Sequence, residues 1–117
     1  MGADPIAYAI AHRSFLDGRP IEAFSVRKQP KGHGAARQIE GCFRAGQDVV
    51  VVEDTITTGA SALKACRAVT EAGGRVLAIL ALVDREEGGR ETLEAEGFRV
   101  ISLARLSELR ERVGDRD

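Results

Sequence analysis

Two apolar runs, VVVV at 49–52 and VLAILALV at 76–83, constrain this chain more than any other feature. Both are aliphatic, both are bounded by turn residues, and neither shows the alternation of a half-exposed strand. Such runs are the pattern of parallel strands covered on both faces. Between them lies ASALKACRAVTEAGG, which sets Ala62, Leu63, Cys66 and Val69 on one side of a helix and ends it at Gly73-Gly74. Strand, helix and strand in that order predict a right-handed crossover in a parallel α/β sheet. GRETLEAEG, FRVISLA and LSELRERVG continue the alternation as helix, strand and helix, with Ser107 placed to help start the last.

The first half of the chain is less regular. ADPIAYAIAHRSFLDG predicts a helix with Asp4 as N-cap, Pro5 at its first position, one buried apolar face and Gly18 as its stop. IEAFSVRK at 21–28 alternates, as a strand near a sheet edge does. QPKGHGAARQIEGCFRAG at 29–46 has little periodicity and reads as a long loop, with room for a short hairpin. In open α/β folds a strand normally precedes a helix such as the first one here, so the expected sheet lacks its first strand.

A length of 117 residues predicts a single domain, 1–117, able to bury roughly two-thirds of its unfolded surface. Lys and Arg number 17 against 18 Asp and Glu, a net charge of −1 that gives no general attraction to nucleic acid or an anionic membrane. Any anion must therefore be bound locally. No apolar stretch approaches the roughly 20 residues of a membrane helix and no basic-then-apolar leader opens the chain, so the expectation is a soluble cytoplasmic protein. Cys42 and Cys66 have no zinc or CxxC spacing and read as reduced thiols, Cys66 on a helix face.

The chemistry is concentrated in EDTITTGAS, residues 53–61, where the first apolar strand emerges into the crevice used for ligands in such sheets. The following helix presents unpartnered amides and a positive dipole end, which suit a phosphate. Thr55, Thr57, Thr58 and Ser61 add hydroxyls, and Gly59 permits close backbone approach. Glu53 and Asp54 call instead for hydroxyl groups or a cation. A phosphorylated sugar offers both chemistries at once. Neither GxxxxGK[ST] nor GxGxxG is present, which disfavours the common nucleotide loops. A basic loop supplies Arg27, Lys28, Lys31, His33 and Arg37 among glycines, suited to a departing diphosphate once a lid excludes water. On its own, such a loop is equally a solvated surface, and Arg85 is a charge that follows a strand.

VVVVEDTITTGAS resembles the phosphoribosyl pyrophosphate (PRPP) signature of the type I phosphoribosyltransferases, and RKQPKGHG resembles the catalytic loop of their orotate-specific members. The resemblance implies an open, mostly parallel, Rossmann-like sheet, here without the family's N-terminal hood and first core strand. It implies that Glu53 and Asp54 hold the ribose hydroxyls and that Thr55, Ile56, Thr57, Thr58, Gly59, Ala60 and Ser61 form the 5-phosphate loop. By the same likeness Arg27, Lys28, Lys31 and His33 bind PRPP or its pyrophosphate, with Lys31 stabilising the leaving group, and Arg85 in VDREEGG holds the orotate carboxylate beside Thr57. The implied reaction transfers ribose 5-phosphate from PRPP to orotate, the pyrimidine-forming step that gives orotidine 5-phosphate. It would use Mg²⁺ carried mainly by PRPP and water, in a homodimer whose partner contributes the basic loop. A catalytically impaired PRPP- or nucleotide-binding relative, or a purine-type phosphoribosyltransferase, is the alternative. Glu53 stands where many members have aspartate.

Overall fold

The computed structural model describes residues 3–26, 39–41 and 43–114. Its centre is a parallel sheet of β3 (Asp48–Ile56), β4 (Arg75–Asp84) and β5 (Val100–Arg105), in that order. Helices α2 (Ala60–Glu71) and α3 (Gly89–Ala95) make the crossovers, and α4 (Leu106–Val113) follows β5. Ahead of them come α1 (Asp4–Leu16) and an antiparallel pair, β1 (Phe24–Val26) with β2 (Ile39–Gly41). Within 29–46, expected as a loop with room for a short hairpin, the described strand β2 pairs instead with β1, outside that stretch, and the pair packs on the central core through Phe24, Val26 and Ile39.

The core lies where β3, β4 and β5 meet α2 and α3. Val49, Val51, Ile79, Ala81 and Val100 face Ala62, Cys66, Val69 and Leu93 there, all of them buried. Burial pushes the Cys66 thiol up to about 12, so it behaves as a small apolar residue, as read from its position. Arg75 closes the start of the sheet by donating Nε and Nη2 to the Asp48 carboxylate at 2.8 and 3.0 Å, which aligns β4 with β3.

The opposite sheet face departs from the expectation of strands covered on both sides. Val50, Leu82, Ile101 and Leu103 are exposed there, Leu103 at 69%. The valine run is continuous in sequence, yet its burial alternates. Register also shifts between Val49 and Val50: Val49 pairs with Val76, but Val50 pairs with Ala78, so β4 carries an extra residue at Leu77.

Helix α1 forms over the expected residues, with proline in its first turn, but Ala3 occupies the N-cap position and Asp4 lies inside. The Asp4 carboxylate instead accepts from the Ser25 hydroxyl at 3.2 Å, tying α1 to β1. None of its residues is buried within this chain, because Tyr8, Ile10, Phe15 and Leu16 are spread around the helix instead of forming a stripe. Gly18, at φ +80°, turns the chain out of it.

Candidate active site

All three parallel strands end on the same side of the sheet, and the predicted chemistry gathers at the ends of β3 and β4. β3 runs farther than VVVVED suggested. Thr55 pairs with Val83 and Ile56 with Asp84, and the Ile56 side chain is buried in the core, leaving its backbone as the part that faces the loop. The loop proper is 57–59, and Gly59 leads into α2 at φ +87°. The first backbone bond of the helix runs from Leu63 N to Gly59 O at 2.9 Å, so the amides before Leu63 form the open end of the helix. Thr58 Oγ1 lies 3.4 Å from Ala60 N, a loose cap. Ala60 and Ser61 occupy the first helical turn.

Glu53 and Asp54 sit in alternating strand positions, so their side chains leave on opposite sides. Asp54 is exposed, and its Oδ1 accepts from the Thr55 amide at 2.8 Å. Glu53 lies on the α2 side, partly buried and hydrogen-bonded to Ser61. Burial raises its carboxyl above the ordinary glutamate value, and the neighbouring Asp54 charge adds to this, with the Ser61 bond opposing. The folded state therefore holds a proton here that the unfolded chain has released. As pH rises from the ordinary glutamate value to the raised one, stability is expected to fall. Glu53→Gln should remove that part of the pH dependence, and thermal melts of both proteins between about pH 4 and 7 check it; parallel curves would contradict the assignment.

Gly59 and Gly89 bring the two strand ends into contact. A Cβ on Gly59 would lie 3.0 Å from Gly89 O and 3.2 Å from Leu93 Cγ, so the glycine expected to admit a ligand also admits α3. The Arg85 amide donates to Ile56 O and the Gly89 amide to Thr57 O, each at 2.9 Å. Arg85 is thereby fastened beside Thr57, the juxtaposition that the sequence reading paired for substrate binding. Its half-exposed guanidinium meets Glu87 at 3.3 Å. Arg27, Lys28, Lys31, His33 and Arg37 lie outside the described residues, as does Cys42.

Three further residues shape this site without having been singled out. Asp84, 4% exposed, accepts from the Glu86 amide at 2.8 Å. Glu86 Oε1 accepts from the Ser107 amide at 2.6 Å, so α4 is started by a carboxylate from another loop and not by the Ser107 hydroxyl. Gly89 touches Ile56 and Thr57 so closely that a side chain has no space. The Asp-x-Glu spacing and the paired glycines at 88–89 were the available signals.

No family model matches the chain. An orotate phosphoribosyltransferase of Aquifex aeolicus is 59% identical over 109 residues, covering 93% of this chain and 60% of its own length. The crystal structure of Mycobacterium tuberculosis H37Rv orotate phosphoribosyltransferase in complex with Fe(III) dicitrate superposes with a TM-score of 0.82 at 52% identity, over 93% of this chain and 61% of that one. Over 93% of its length the chain is thus similar to orotate phosphoribosyltransferases. Its fold is the type I phosphoribosyltransferase fold, as expected from the sequence. The structure of the same M. tuberculosis enzyme bound to PRPP matches with a TM-score of 0.80 at 50% identity, covering 93% of this chain and 60% of that chain. The present chain thus spans about 60% of the length of these orotate phosphoribosyltransferases.

Among the described residues no helix is long and apolar enough to cross a membrane.

Proposed function

We propose that the chain carries the PRPP-binding part of an orotate phosphoribosyltransferase, transferring ribose 5-phosphate to N1 of orotate with release of pyrophosphate. The observation that carries this reading is the fastening of Arg85 and Gly89 to the carbonyls of Ile56 and Thr57 at 2.9 Å. It sets a group able to pair with a carboxylate beside an amide-and-hydroxyl cup and an acid pair. In this reading the amides and hydroxyls of Thr55–Ser61 seat the 5-phosphate, and Glu53 and Asp54 accept hydrogen bonds from the ribose hydroxyls. As the bond to pyrophosphate breaks, the sugar gains positive character, which the carboxylates stabilise. Lys31 and His33, with Arg27 and Lys28, stabilise the departing diphosphate, supplied across the interface of a homodimer.

Carboxylates beside hydroxyls at a strand end fit a magnesium ion that retains water and PRPP oxygens, and when bound it would neutralise charge on the diphosphate. The proposed compartment is the cytoplasm. A second reading is PRPP binding without transfer.

Purified chain is assayed for pyrophosphate release dependent on both orotate and PRPP, and for thermal stabilisation by PRPP. At PRPP about 100-fold above its dissociation constant, stabilisation of about 2.7 kcal/mol is expected. Turnover supports the enzyme, and stabilisation without turnover supports the binding reading. If neither occurs, both are overturned for this chain. Turnover with adenine or guanine but not with orotate would establish the purine-type alternative.

A further inference from the structure

The turn that carries Arg85 is held by a residue with no role in the reaction described above. Among the described residues, Glu86 is the non-glycine position with positive φ, +60°, a backbone region that residues with a Cβ seldom adopt. Its surroundings determine this conformation from both ends. The Glu86 amide donates to Oδ1 of the buried Asp84 at 2.8 Å, and its carboxylate reaches Ser107 N, in the first turn of α4, at 2.6 Å. On either side of it, Arg85 N and Gly89 N are bonded to the loop carbonyls of Ile56 and Thr57. Residues 84–89 thus form a strap tied to the end of β4, to the phosphate loop and to α4.

We propose that Glu86 is a positioning residue: its carboxylate anchors the strap to α4 and so fixes where Arg85 stands beside Thr57. The substrate side of this inference rests on the reading of Arg85 as the carboxylate-binding group. The carboxylate is suited to the task. Its bonds with Ser107 hold it below the ordinary glutamate range, with smaller help from Arg105 and Arg110, so it is ionised when the strap is formed. A glycine at 86 would be free of the backbone penalty but could not reach α4. The presence of a glutamate in a glycine-type conformation is thereby explained by what its side chain holds.

The test uses three variants of the chain. Glu86→Gly relaxes the backbone while removing the tie, Glu86→Gln keeps an acceptor, and Arg85→Ala removes the guanidinium. Amide hydrogen exchange followed by NMR reads the strap without substrate. Exchange at Arg85 and Ser107 is expected to be about tenfold faster in Glu86→Gly, as for loss of a helix cap, and within about threefold of the parent in Glu86→Gln. Parent-like protection of Arg85 in Glu86→Gly overturns the proposal.

Orotate affinity, measured with PRPP present, reads the consequence. Glu86→Gly is expected to weaken orotate about tenfold and to leave PRPP affinity unchanged, as a displaced charge-assisted contact would. If Arg85→Ala binds orotate like the parent, the reading of Arg85 fails, while the exchange data still decide whether Glu86 holds the strap. Weakened orotate binding in Arg85→Ala with none in Glu86→Gly overturns the positioning role alone.

Discussion

Asp54→Asn is expected to lower orotate- and PRPP-dependent pyrophosphate release about 10²–10³-fold, the scale for losing one preorganised electrostatic group. The substitution is nearly isosteric. Asparagine keeps a side-chain oxygen for the Thr55 amide, which Asp54 Oδ1 now holds at 2.8 Å, so the local backbone should persist. What disappears is the negative charge at the exposed end of β3. In a reaction whose sugar becomes cationic, that charge acts chiefly in the transition state, so kcat should fall more than PRPP affinity. The measurement is made on the purified chain, with a melt to show that the fold is intact. Turnover near that of the parent would remove Asp54 from the proposed chemistry.

Gly89→Ala tests the other half of the site. An added Cβ would stand 2.5 Å from both Ile56 Cγ2 and Thr57 O, and 2.8 Å from Gly59 N. The last two are backbone atoms, so no rotamer change relieves the contact; either α3 retreats or the phosphate loop moves. A cost of about 1–3 kcal/mol is expected from overpacking of this kind, read from urea unfolding. PRPP stabilisation should weaken with it. Gly88 is the natural control, since its surroundings within 4 Å are empty and its φ of +91° leaves backbone strain as the sole penalty. An unchanged or improved midpoint for Gly89→Ala would show that the two loops are not packed as described.

What could be read from the residues alone depended on the range of the interactions. The limits of β4 follow from one uninterrupted apolar run between glycine and Asp84, and α2 follows from its apolar spacing and the glycines after it. The acid-hydroxyl turn was legible because its functional groups are consecutive. The end of β3 was less so, since Ile56 looks like part of a hydrophilic loop until Gly89 is known to pack on it. Likewise the apolar residues of α1 suggested a buried face, but burial is decided by what stands opposite, and here Phe15 is 71% exposed. Glu86 illustrates the longest reach: its partner Ser107 is 21 residues away, and neither residue announces the bond.

The extra residue at Leu77 carries a consequence for the opposite end of β4. Parity along a strand is a property of counting, and an inserted residue would hand every later side chain to the other face unless a bulge absorbs it. Because of that insertion, Val76 and Ile79 can both turn toward the helices, and Asp84 arrives abreast of Ile56. Were Leu77 held in regular alternation instead of bulged, every later side chain of β4 would change face against β3, and its tip would be presented the wrong way round. The chemistry at the crevice is thus phased by a residue that never comes near it.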